Sequence, residues 1–162
     1  MKILTSVLLV CAGVALANAG DGVLQININR FASCPAGWIG CSGRCFLYVD
    51  TPKSWADAEK HCLSQGGNLA SVHSHVEHDI IQGMLLRATN SHPLAWLGGS
   101  DAAQEGTWLW SDGTPFDFEH WDVGQPDNKA NAGCMLMNFG DDKKFDDQPC
   151  DYLKSFVCAK TL

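Results

Sequence analysis

Basic residues are scarce in this chain: 11 Lys and Arg stand against 18 Asp and Glu, for a formal net charge of −7. Nucleic-acid backbones are held by clustered cations. No basic patch is visible, so a nucleic-acid partner is excluded, and the acidity suits a cation, a neutral ligand or a protein better. After the first twenty residues no apolar run reaches the ~18 residues that cross a bilayer, so no membrane span is expected. Paired CxxC knuckles are missing, which argues against a structural zinc site. No Gly-x-Ser-x-Gly elbow, His-Glu-x-x-His pair or Gly-rich phosphate loop occurs. Asp146 and Asp147 are neighbours on an expected strand and would face opposite ways, unlike a general acid/base pair. These absences argue against an enzyme. No Asn-x-Ser/Thr sequon occurs in the expected mature chain.

The opening residues carry a targeting signal. Lys2 supplies a short positive start, Ile3 to Leu16 is almost wholly apolar, and Ala17-Asn18-Ala19 offers a small-x-small cleavage pattern. Residues 1–19 are therefore expected to be a signal peptide, and the protein to be secreted and extracellular. Eight cysteines are present. Cys11 would leave with the signal, and Cys34, Cys41, Cys45, Cys62, Cys134, Cys150 and Cys158 remain as a disulfide framework for an oxidising compartment. Seven is odd, so one sulfur should be free or joined to another chain.

Residues 20–33 show no clear period and read as an N-terminal extension, with one domain at 34–162. A strand is expected at Phe46 to Val49. Two helices follow, each opened by a Ser-x-x-acid cap: Ser54 with Asp57, and Ser74 with Glu77. On the first, Trp55, Ala58 and Cys62 share a face, and Gly66-Gly67 ends it. On the second, Val76, Ile80, Met84 and Leu85 are the expected inner face. The short apolar runs AWLGGSD, GTWLWSDG, CMLMNF and FVCAKTL, separated by Gly, Pro, Asp and Asn, read as strands of small antiparallel sheets. Thr114 to Gly133 is a long polar loop of the kind that carries function or is held by a ligand. Helices first and strands later give an α+β fold.

From Cys34 onward these segments resemble the C-type lectin domain family. WLGGSD resembles the family's core Trp-Ile-Gly-Leu strand, Gln125-Pro126-Asp127 its carbohydrate-specificity triplet, and Phe145-Asp146-Asp147 its Trp-Asn-Asp strand. The likeness is greatest to secreted fish lectins and to type II antifreeze proteins, which share the domain. It implies a C-type lectin-like fold with two helices packed on small antiparallel sheets and a long ligand-binding loop. It also implies the disulfides Cys62–Cys158, Cys134–Cys150 and Cys34–Cys45. Cys41 is then left over, as an interchain bond to a second copy, a free thiol, or a partner in reshuffling with Cys45.

The same resemblance implies one Ca2+ site built from Gln125, Asp127, Asp146 and Asp147, which would also bind the sugar. Calcium takes several oxygen ligands, and fewer carboxylates weaken its hold. Ala132 stands where the family has a ligand Glu, and Gly133 where it has a further acid. An accessory site retains Asp101, Glu105 and Asn128 but not those two, and is expected to be empty. An amide at 125 followed by a carboxylate at 127 is the order that accompanies galactose-type sugars, with a cis bond before Pro126. No aromatic residue lies between Asn128 and Gly133 to stack on the sugar, so weak sites working by multivalency are expected.

The resulting expectation is a secreted calcium-dependent lectin for terminal galactose-type glycans, acting in innate immune recognition, with a possible disulfide-linked homo-oligomer through Cys41. The rivals are an ice-binding type II antifreeze protein on the same fold and a calcium-independent protein-binding module. Ala102, Asp122, Gly133 and Lys144 occupy positions where ten-cysteine antifreeze relatives place additional cysteines, whereas Ala132 matches the calcium-independent ones. Trp96, Trp108, Trp110 and Trp121 read as core. His73, His75 and His78 read as a solvated helix start.

Overall fold

A computed structural model describes residues 33–162. The expected signal peptide and residues 20–32 of the extension lie outside the described residues. The elements run β1 (Ile39–Cys41), β2 (Arg44–Lys53), α1 (Trp55–Ser64), β3 (Asn68–Leu69), α2 (His75–Thr89), β4 (Ala95–Ser100), β5 (Leu109–Trp110), β6 (Cys134–Phe139), β7 (Lys144–Gln148) and β8 (Lys154–Thr161).

Both helices begin at the expected serines. The Ser54 hydroxyl accepts the Asp57 N–H, and the Ser74 hydroxyl accepts the Glu77 N–H, each satisfying a donor that the first turn leaves open. Helix α1 buries Ala58 and Cys62, as its pattern predicts. Helix α2 is rotated from the expected face. It buries Glu77, His78, Ile81, Met84 and Leu85, while Val76 is exposed. The reason is electrostatic: Arg44 of β2 donates to both Glu77 carboxylate oxygens at 3.0 Å, so a charged residue turns inward where an apolar one was expected.

The strands form one eight-stranded sheet rather than several small ones. Its path is β1-β2-β8-β4-β6-β7, with β3 added on β8 and β5 on β4. All pairings between these strands are antiparallel except β4 with β8, which is parallel. The sheet is therefore mixed: the chain between β4 and β8 runs through β5, β6 and β7, a long connection rather than a hairpin. The apolar runs are buried on both faces: Trp96, Leu97, Met135, Leu136, Met137, Phe156 and Val157 are all inaccessible. Gly98 must be glycine, since a Cβ there would lie 2.6 Å from the Leu69 carbonyl oxygen and 2.8 Å from Ser111 Oγ. Trp96 and Trp110 are core, as expected, and Trp108 and Trp121 pack against it half-buried.

Three disulfides staple this frame in the pairing that the family resemblance implies: Cys34–Cys45, Cys62–Cys158 and Cys134–Cys150. The second spans 96 residues and ties α1 to β8, a closure worth about 4–5 kcal/mol in the chain-entropy treatment. No cysteine is free among the described residues, and Cys41 is buried. The free-thiol alternative for Cys41 is thus not what the structure shows. No helix among the described residues is long and apolar enough to cross a membrane.

Candidate functional site

The polar segment between β5 and β6 has almost no secondary structure of its own, and side chains hold it in place. At its start, Asp112 accepts the Ser71 hydroxyl at 2.5 Å and the Thr114 hydroxyl and N–H at 2.6 and 2.9 Å. Burial works against the Asp112 charge, yet these hydrogen bonds and nearby Arg44 hold its pKa below the usual carboxylate value. His73 joins the same network, with Nδ1 2.6 Å from Asp117 and Nε2 3.1 Å from Ser71 Oγ. Ser71, His73 and Asp117 thus have the connectivity of a hydrolytic triad. Ser71 is wholly buried and gives its proton to Asp112, so it offers no nucleophile. The arrangement is a clamp.

Further along, His120 sits against His75 and His78 with ring centroids 4.9 and 4.6 Å apart, beside Phe118 and Phe145. His78 is only 3% exposed, with Nε2 3.1 Å from the Lys143 carbonyl. The expectation of a solvated helix start therefore fails for His73 and His78, though His75 is exposed. Nothing in the local pattern points to His120, which lies 45 residues beyond His75 and reaches it only through the loop. Backbone bonds from Phe145 N–H to the His120 carbonyl and from Asp122 N–H to the Phe145 carbonyl dock the loop along β7.

This docking brings the triplet to the paired aspartates. The Gln125–Pro126 bond is cis. Asp146 and Asp147, on β7, are 1% and 2% exposed. Asp147 accepts the backbone N–H of Asp127 at 2.9 Å on one oxygen and that of Asn128 at 2.7 Å on the other. Asp146 accepts the Gln148 amide at 2.7 Å. Burial, with repulsion from Asp147 and Asp127, pushes the Asp146 pKa up. Asp127 is held down by Lys129, whose Nζ lies 2.6 Å from Oδ2 and whose N–H reaches Oδ1 at 3.0 Å. Gln125 Nε2 lies 3.4 Å from Asp127 Oδ2, and Gln125 Oε1 is buried without a hydrogen-bond partner. Gln125, Asp127 and Asp147 thus share one hydrogen-bonded neighbourhood of loop and strand, and Asp146 adjoins it through charge rather than through a hydrogen bond. Lys129 was not foreseen, because a lone lysine in a polar loop reads as solvated.

The second expected cluster lines a cavity of about 270 Å3 formed by Asp101, Glu105, Asn128, Ala132, Gly133 and neighbours. Asp101 is 3% exposed, accepts the Gly106 N–H at 2.8 Å with Oδ2, and leaves Oδ1 unpartnered. Asn128, Ala130 and Asn131 hold left-handed backbone, so this loop is sharply coiled where it borders both clusters.

Among the described residues no three His, Cys, Asp or Glu side chains converge into a ready-made metal cage. The donor chemistry nevertheless fits a hard cation. Asp146 and Asp147 are buried carboxylates, Asp127 is near enough to repel the Asp146 charge, and the Gln125 amide oxygen has no partner, all of them hard oxygen donors. Two backbone N–H groups and the Lys129 ammonium now answer part of that charge.

The sequence profile of the Lectin C-type domain matches residues 51–160. The type-2 ice-structuring protein of Hemitripterus americanus is 40% identical over 168 residues, spanning 98% of this chain and 99% of that protein. The galactose-specific lectin nattectin of Thalassophryne nattereri is 39% identical, over 84% of this chain and 87% of that one. Among solved structures, a Ca2+-dependent type II antifreeze protein in its Ca2+-free form superposes with a TM-score of 0.74 at 38% identity, over 79% of this chain and 100% of that one. A calcium-independent type II antifreeze protein does so with 0.72 at 37%, over 80% and 95%. A profile match over most of the chain, near-full-length relatives, three disulfides and the mixed sheet agree: this chain belongs to the C-type lectin domain family and is a binding protein, not an enzyme.

Proposed function

We propose that this protein is a secreted, calcium-dependent lectin for galactose-type sugars, serving innate recognition of glycans. The single observation that carries the reading is the unpartnered, buried Oε1 of Gln125 beside Asp127, Asp146 and Asp147. A buried polar oxygen left without a partner costs about 1–3 kcal/mol, and a bound cation would satisfy it. Bound calcium would supply Lewis-acid coordination of two adjacent sugar hydroxyls. Gln125, Asp127, Asp146 and Asp147 would hold the ion, and Gln125 Nε2 and Asp127 would donate to and accept from the hydroxyl pair. The amide-then-carboxylate order supports the galactose assignment, as does the galactose-specific relative. Secretion rests on the leader pattern and the oxidised cysteines, and the immune role on likeness to lectins.

Retention of the oxidised protein on galactose-agarose tests the reading. Retention in calcium, with release by EDTA and by free galactose, is expected. Better competition by mannose would keep the lectin and overturn the specificity. Ice binding is the second reading, favoured by the 40% identity to an ice-structuring protein and by Ala132 in place of a carboxylate. Thermal hysteresis with faceted ice crystals from protein that ignores galactose would establish it.

A further inference from the structure

The calcium reading supplies the frame for one more step, which concerns Lys129. Asp127 and Asp147 lie near enough to Asp146 for their charges to repel it, and like charges gathered at poorly solvated positions need a counter-charge. Asp147 is answered by two backbone N–H groups and Asp146 by the Gln148 amide. Asp127 is answered by Lys129, which grips it twice within one turn of chain: its N–H meets Oδ1 at 3.0 Å and its ammonium meets Oδ2 at 2.6 Å. The Lys129 side chain is 84% exposed, whereas that of Asp127 is 20% exposed. The ammonium therefore reaches in from solvent toward a half-buried carboxylate, and it can leave without disturbing the core. No other cationic side chain forms an ion pair with Asp127, Asp146 or Asp147 among the described residues.

We infer that Lys129 is a tethered competitor of calcium: its ammonium stands in for the metal on Asp127, stabilises the calcium-free site, and must be displaced for the ion to bind. The tether makes the ammonium locally concentrated at every calcium level, so it raises the calcium concentration that the site needs. In this chain the missing carboxylate at Ala132 and the competing ammonium at Lys129 act in the same direction, toward a weaker calcium site.

The experiment compares the oxidised wild-type protein with Lys129→Gln and the charge-keeping Lys129→Arg. Calcium affinity is measured by titration calorimetry, and melting temperature is measured with and without calcium. Exposed ion pairs of this kind are worth up to about fivefold in an equilibrium constant. Lys129→Gln is therefore expected to bind calcium about two- to fivefold tighter, to melt lower in EDTA, and to gain more from added calcium than wild type does. Lys129→Arg should behave as wild type. The opposed signs matter, because a merely structural lysine would lower both melting temperatures together. Equal calcium affinity in wild type and Lys129→Gln would overturn the competitor role and leave the calcium site standing. Failure of all three proteins to bind calcium up to about 10 mM, above the range of weak extracellular calcium modules, would overturn both. Calcium binding by Lys129→Gln alone would support the role in its strongest form.

Discussion

The Asp147 carboxylate clasps the chain at Asp127 and its neighbour: one oxygen accepts the Asp127 N–H at 2.9 Å and the other the Asn128 N–H at 2.7 Å. Asp147 is therefore a loop anchor with no ion bound. Asp147→Asn keeps the size but turns one acceptor into a donor facing an N–H. It should lower stability in EDTA by about 1–3 kcal/mol and abolish calcium-dependent retention on galactose. Asp146 makes the contrast, since burial and its acidic neighbours disfavour its charge. Asp146→Asn removes a disfavoured buried charge and can keep an acceptor for Gln148, so it should lose the same retention while costing less stability in EDTA than Asp147→Asn. Urea midpoints beside galactose-agarose retention read out both variants.

Ala132 is the site's clearest shortage. Its side chain is buried and borders the cavity that Asp101, with its unpartnered oxygen, and Glu105 also line. Ala132→Glu adds a carboxylate where calcium affinity scales with ligand charge. A gain of about tenfold is expected, equivalent to ~1.4 kcal/mol, measured by calorimetry. An unchanged affinity would show that the coiled loop at 128–131 cannot aim the new side chain at the ion.

Much of this fold is legible in the sequence because it is local. The Ser54 and Ser74 caps, the short apolar strands and the unpatterned loop each report their own structure within a few residues. The site residues are legible through the order of motifs, which only the family resemblance makes specific. What stays hidden is long-range and polar. Glu77 turns inward because Arg44, 33 residues earlier in the chain, waits there, so an apolar-face count picks Val76 instead. His120 finds His75 and His78 only after the loop has docked on Phe145. The parallel β4–β8 pair is likewise invisible to strand spotting, because hydrophobic runs give strands but not neighbours.

Positions 102 and 133, where the family resemblance implies extra cysteines in ten-cysteine antifreeze proteins, touch one another beside the accessory cavity. A Cβ built at Gly133 lies 3.4 Å from Ala102 Cβ, close to the ~3.8 Å that disulfides prefer. Ala102→Cys with Gly133→Cys should therefore oxidise spontaneously to a fourth described disulfide. Closing about 30 residues is worth up to about 3–4 kcal/mol in the chain-entropy treatment. Intact mass, a free-thiol count and the melting temperature check it. Two persistent thiols would show that the 102 and 133 backbones cannot approach further.

Acid should loosen the loop through His120. The ring is packed by His75 and His78 of α2, with Asp79 on the same helix and Lys144 on β7 as its charged neighbours. Burial is the largest cause that drives its pKa down from 6.5 to about 4, followed by repulsion from His78, His75 and Lys144, with Asp79 opposing. His78 is lowered too, mainly by burial. A histidine with a depressed folded pKa binds its proton more readily in the unfolded chain, so folding loses stability as pH falls from about 6.5 to about 4 and levels off below. Asp112 and Asp117, both lowered, lose their contributions only further into acid. The melting temperature in EDTA should thus fall between pH 7 and pH 4.5, and His120→Phe, which keeps the ring packing against Phe118 and Phe145, should flatten that decline. Melting curves of the two proteins across this range decide the matter: parallel declines would assign the acid sensitivity to His78 and leave His120 a packing residue.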